Sequence, residues 1–121
     1  MAKSISKKTV HPGFTVNGSL WIEKKGKRFF GPGPLQLLEL IAETGSIRQA
    51  AGQMQMSYKK AWQIINNLNT MAGKPLVVKQ SGGEKGGGSV VTDEAKLLIN
   101  RYKLLRNRFR DFLEKETVIL D

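Results

Sequence analysis

The spacing of apolar positions changes along the chain, and each change predicts an element. Phe14, Val16, Leu20 and Ile22 fall on even positions of residues 14–24, the period of a half-buried strand, although Gly18 interrupts it. Lys25-Gly26 reads as a turn and 27–30 as a short returning strand. Gly31-Pro32-Gly33-Pro34 is strong punctuation, and Pro34 suits the first turn of a helix. Over 35–44 the period becomes helical: Leu35, Leu37, Leu38, Leu40, Ile41 and Ala42 form a wide apolar face, Glu39 and Glu43 are left to solvent, and Gly45 stops the helix. Ser46 caps a short helix over 47–54, with Gln49 completing an S-x-x-Q capping box. Ser57 caps a longer helix to about Ala72, closed by Gly73 and Pro75.

That longer helix has two contrasting sides. Tyr58, Ala61, Trp62, Ile65, Leu68 and Met71 recur at spacings of three and four and predict a buried stripe. The other side shows Lys59, Lys60, Gln63, Asn66, Asn67 and Thr70, cations and amides without a carboxylate. Next come two β-branched segments, 76–80 and 89–92, flanking a glycine-rich stretch over 81–88; they predict a hairpin with a long tip. Thr92 caps a last helix over 93–116, with Asp93 and Glu94 placed favourably against the helix dipole. Its residues Ala95, Leu98, Tyr102, Leu105, Phe109 and Phe112 follow a heptad spacing, widened by Leu97, Ile99, Leu104 and Leu113. One domain this small could bury part of that stripe internally, the alternative being a purely intramolecular role; the surplus predicts a homodimer through Leu98, Tyr102, Leu105, Phe109 and Phe112.

Composition narrows the function. The 121 residues fit one α+β domain, with no cysteine for disulfides, thiol catalysis or Cys-ligated zinc. The one histidine, His11, sits beside Pro12 and Gly13 in a basic arm over 1–13, and no acid/base pair stands out, so no enzyme, metal or cofactor is expected. The longest apolar runs are three residues, such as Leu97-Leu98-Ile99, which excludes a membrane span or secretory leader and fits a cytoplasmic protein. Net charge is +10, and residues 1–92 carry thirteen Lys/Arg against four Asp/Glu, while 93–121 are nearly balanced. A cationic front part of this kind attracts polyanions by releasing their condensed counterions.

Two helices joined by a tight turn and followed by a hairpin are the order of a winged helix-turn-helix, here over 14–92, with the helix of 93–121 as a dimerisation element. The second helix enters a DNA groove and the first braces it; Ala50, Ala51 and Gly52 suit the close helix crossing. Candidate DNA-binding residues are Arg48, Gln49, Ser57, Tyr58, Lys59, Lys60, Gln63, Asn66 and Asn67, with Lys79, Gln80 and Lys85 on the wing. Amides pair with adenine and lysine with guanine, while wing cations meet the backbone. The glycine-rich tip lacks the Gly-Lys-Ser/Thr of a nucleotide-binding loop.

Thr44-Gly45-Ser46-Ile47-Arg48-Gln49-Ala50-Ala51, Met56-Ser57-Tyr58-Lys59-Lys60-Ala61-Trp62, Pro75-Leu76-Val77 and the glycines around Lys85 resemble the N-terminal DNA-binding domain of ModE-type molybdate-dependent regulators, a LysR-like winged helix-turn-helix. The resemblance covers about residues 15–115. It implies a homodimeric regulator of double-stranded operators, with residues 57–67 reading the groove. The family's glycine after the wing threonine is Ala95 here, which a helix interior accepts. Full-length members carry further molybdate-binding domains, for which 121 residues leave no room; molybdate sensing is therefore not expected, and a separate effector-sensing subunit is compatible. The rival readings are a non-specific nucleoid-type DNA binder and a small protein-interaction module.

Overall fold

A computed structural model describes residues 13–80 and 88–121. The chain divides into two compact units, one over 21–101 and one in which residues up to 20 join 102–121. The class is α+β, as the sequence predicts. The first unit opens with an antiparallel hairpin, β1 (Ile22–Lys24) and β2 (Lys27–Phe30), followed by α1 (Pro32–Thr44), α2 (Ile47–Gln53), α3 (Tyr58–Ala72) and a second hairpin, β3 (Val77–Lys79) with β4 (Ser89–Val91). The last helix, α4 (Asp93–Glu116), begins in this unit and continues through the other, ending in a single 3₁₀ turn, Thr117–Leu120.

Local chemistry sets the boundaries. Helix α1 starts at Pro32, earlier than the apolar period indicated, because prolines fit a first turn whose N–H groups have no acceptor within the helix. Gly45 ends it in the left-handed conformation (φ 71°), donating its N–H to Ile41 O at 2.7 Å. Ser46 Oγ accepts from Gln49 N at 3.0 Å, and Ser57 Oγ from Lys60 N at 3.0 Å, so both predicted caps are formed. At the other end of α3, Lys24 Nζ donates to Met71 O at 2.5 Å and satisfies one of the carbonyls a helix end leaves over.

One core joins α1, α2 and α3. Phe30, Leu35, Leu37, Leu38, Ile41, Ile47, Ala50, Ala51, Ala61, Ile65 and Leu68 are buried. Each fully buried Leu or Ile contributes roughly 1.5–3 kcal/mol of transfer free energy. Ala50 and Ala51 do occupy the tight crossing, but Gly52 is exposed with open space around it and plays no part there.

The first strand begins at Ile22 and not at Phe14. A strand needs a ladder partner, and β2 pairs only as far back as Ile22. Residues before it are held in the second unit by side chains. Tyr102, wholly buried, donates its hydroxyl to Leu20 O at 2.8 Å, and the Phe109 ring lies so near Gly18 that a Cβ there would be 3.0 Å from it.

Candidate nucleic-acid interface

The predicted groove-facing side of α3 is a real surface. Lys59, Lys60, Gln63, Asn66, Asn67 and Thr70 are all exposed, while Ala61, Ile65 and Leu68 are buried on the opposite side. None of α2, α3 and β3 contains an Asp or Glu. A carboxylate-free surface of amides and ammonium groups has no internal counter-charge and offers both donors and acceptors to base edges.

Tyr58 and Trp62 depart from the expected stripe. Both are half-buried, and they meet edge to face with centroids 6.4 Å apart. The Arg48 guanidinium lies over Tyr58 at 4.2 Å, and Lys79 Nζ lies over Trp62 at 5.0 Å. One cation therefore comes from α2 and one from the wing strand, each seated on a ring of α3. A charge over an aromatic face gains about 0.5–1 kcal/mol at an exposed site and keeps donors free for an anion. Ser46, Arg48, Tyr58, Lys79, Gln80 and Ser89 border a polar cleft of about 260 Å³, large enough for an oxyanion group.

The wing is fixed to the helices by backbone contacts. Asn69 Oδ1 accepts from Leu76 N at 2.7 Å, and its Nδ2 donates to Val77 O at 3.3 Å, so one amide ties β3 to α3. Ser89 N donates to Gly45 O at 3.0 Å, which joins β4 to the turn before α2. This approach needs Gly88, where a Cβ would meet Gly45 O at 2.6 Å. Thr92 Oγ1 donates to Pro75 O at 2.9 Å and accepts from Ala95 N at 3.2 Å, linking the wing's base to the start of α4.

The structure brings Arg48, Tyr58, Lys79 and Gln80 around one cleft and sets Lys59, Lys60, Gln63, Asn66 and Asn67 on one side of α3. Gln49 is exposed at the start of α2. Ser57 Oγ accepts the cap bond from Lys60 N, and its O–H remains able to donate. Lys85 lies outside the described residues. Of the predicted seam, Leu105 and Phe112 are exposed and Leu98 is half-buried, but Tyr102 and Phe109 pack against their own chain at Leu20 and Gly18. Sequence reasoning missed Asn69 as the wing clamp. The signal was present: Asn69 is four residues after the buried Ile65, a polar side chain on the apolar side of a helix.

Residues 33–96 match the description "Bacterial regulatory helix-turn-helix protein, lysR family". The chain is 37% identical over 105 residues to the transcriptional regulator ModE of Haemophilus influenzae, covering 84% of this chain and 41% of that protein. It is 41% identical over 86 residues to the DNA-binding transcriptional dual regulator ModE of Escherichia coli, covering 71% and 33%. A molybdenum-pterin-binding protein, MopA of Rhodobacter capsulatus, is 37% identical over 87 residues, 72% of this chain and 33% of its own length. The chain thus spans a third to two fifths of the length of these relatives.

Proposed function

The chain belongs to the lysR family of bacterial regulatory helix-turn-helix proteins, and on that footing we propose that it binds double-stranded operator DNA as a homodimer and regulates transcription in the cytoplasm. The observation that carries this reading is the exposed, carboxylate-free side of α3. Helix α3 enters the major groove with Lys59, Lys60, Gln63, Asn66 and Asn67 at the base edges. Arg48, Lys79 and Gln80 hold a backbone phosphate in the cleft beside Tyr58. No chemical step is involved; the protein acts by where it binds.

Dimerisation is supported by apolar surface that the protomer leaves in water: Leu104, Leu105 and Phe112 on α4, with Val118, Ile119 and Leu120 after it. Burying the same stripe of a second copy removes it from solvent and presents two α3 helices to half-sites about 34 Å apart. One relative, MopA of Rhodobacter capsulatus, is named as a molybdenum-pterin-binding protein, but this chain covers 33% of its length, so the reading stops at operator binding.

The test is selection of bound duplexes from a random pool. Recovery of a palindrome supports a dimeric, sequence-specific regulator; recovery of random sequence overturns it in favour of non-specific binding. On the recovered duplex, Gln63→Ala relaxes preference at one base pair, costing about 1–3 kcal/mol there if the contact is bidentate. Phe112→Asp halves the mass seen in sedimentation, and an unchanged mass removes that residue from the seam.

A further inference from the structure

We propose that the hairpin β1–β2 is a second phosphate-binding element, gripping the backbone of the same duplex beside the C-terminal half of α3; this rests on α3 being the groove-facing helix. Lys24, Lys25, Lys27 and Arg28 lie within five residues and are all exposed. Lys24 stands directly opposite Lys27 in the ladder, a like-charge pair that weakens a hairpin in isolation. At the tip, Lys25 takes φ 52° next to Gly26 at φ 78°, a turn that Asn-Gly fills with less strain. The hairpin's one carboxylate, Glu23, accepts from Trp21 Nε1 at 3.0 Å. Among the described residues no ion pair is formed by Lys25, Lys27 or Arg28. Cations concentrated against their own repulsion, at some cost to the turn, gain most when an external polyanion neutralises them.

Placement points to which polyanion. Lys24 is bonded to Met71 O, at the C-terminal end of α3. Arg28, seated over the Trp21 ring at 3.8 Å, borders a cleft together with Ile64 and Asn67, and Asn67 belongs to the exposed amide side of α3. The cations Arg48 and Lys79 sit at the other end, over Tyr58 and Trp62. Helix α3 has 15 residues, roughly 22 Å at 1.5 Å per residue, against a major groove about 12 Å wide. A duplex that receives this helix therefore brings sugar–phosphate rows to both of its ends, and each end carries its own cations.

The experiment uses the full chain, the duplex recovered from the random pool and the same duplex with shortened flanks. Lys24 is left in place because it caps α3. The double variant Lys25→Ala, Lys27→Ala lowers the slope of log K against log salt by about 1.8 if both meet phosphates and by about 0.9 if one does. Its preference for the recovered duplex over a random one stays unchanged, and it loses sensitivity to flank length. Lys25→Asn, better suited to the left-handed turn, unfolds at a temperature no lower than the parent yet binds more weakly. An unchanged salt slope with preference retained overturns the hairpin's role and leaves that of α3 standing. Weaker binding at constant slope, or lost preference, also overturns it. A parent that recovers no duplex overturns both.

Discussion

Helices α3 and α4 both carry apolar stripes at helical spacing, yet they leave different surfaces behind. In α3 the apolar positions are largely used up: Ala61, Ile65 and Leu68 are buried, Ile64, Met71 and Ala72 are half-buried, Tyr58 and Trp62 are half-covered and carry cations, and the exposed residues are ammonium, amide and one hydroxyl. In α4 the stripe is wider than its cover. Ala95, Ile99 and Tyr102 are buried, but Leu97, Leu104, Leu105 and Phe112 remain between 45% and 57% exposed. A helix whose apolar side is satisfied has only polar groups to offer and suits a polar partner. One with apolar surface left over gains free energy only against another apolar surface. The same kind of sequence signal thus leaves a polar surface on one helix, suited to the proposed anionic partner, and an apolar surface on the other, suited to the proposed second copy.

The largest test of this contrast compares two substitutions to alanine. Ile65→Ala empties a fully buried position and lowers folding stability by about 2–5 kcal/mol. Leu105→Ala, measured at dilutions where the protein is monomeric, changes stability by no more than about 0.5 kcal/mol, because half of that side chain is already in water. Urea denaturation of both variants settles the point. A cost at Leu105 approaching that at Ile65 breaks the comparison, since the α4 stripe would then belong to the protomer.

A smaller effect comes from the joint between wing and helices. Gly88→Ala places a methyl group 2.6 Å from the Gly45 carbonyl oxygen, and the neighbour is backbone that cannot swing away. The 3.0 Å bond from Ser89 N to Gly45 O must lengthen. Overpacking of this kind costs about 1–3 kcal/mol, readable as a lower thermal midpoint and faster hydrogen exchange at Ser89. An unperturbed Ser89 amide means that the wing is held by Asn69 and Thr92 alone.

The legible and illegible parts of the molecule divide along similar lines. Caps and periods are local, so α2, α3 and α4 could be read almost to the residue from Ser46, Ser57, Gly73 and Thr92. Neighbours in space are not local. Periodicity put Tyr58 and Trp62 on the same side as Ile65, but whether that edge of the stripe ends in core or beneath a lysine depends on β3, which arrives from a distant stretch of chain. The alternation from Phe14 to Ile22 looked like one strand, yet only its end finds a ladder, because the rest is claimed by Tyr102 and Phe109. The same two residues looked like seam positions for the same reason: a heptad shows which side is apolar and not what covers it. The carboxylate-free side of α3 was fully legible, since it depends on one helix and its composition.

The smallest expected effect is also the most diagnostic of how the proposed DNA-binding surface is organised. Lys79 is exposed, and among the described residues its ammonium group interacts only with the Trp62 ring, at 5.0 Å. Lys79→Ala should therefore cost less than about 1 kcal/mol of folding stability, the upper range for an exposed cation over a ring. Its effect on binding is of another kind. A lysine that meets a phosphate lowers affinity for every duplex alike and reduces the salt slope by about 0.9. Gln63→Ala, by contrast, changes the preference among duplexes and leaves the slope alone, because a neutral amide displaces no counterion. Titrations of the two variants on recovered and random duplexes at several salt concentrations separate these roles. If Lys79→Ala altered base preference while the slope stayed fixed, the wing would be reading sequence, and the division between a helix that specifies and a strand that positions would have to be redrawn around Trp62.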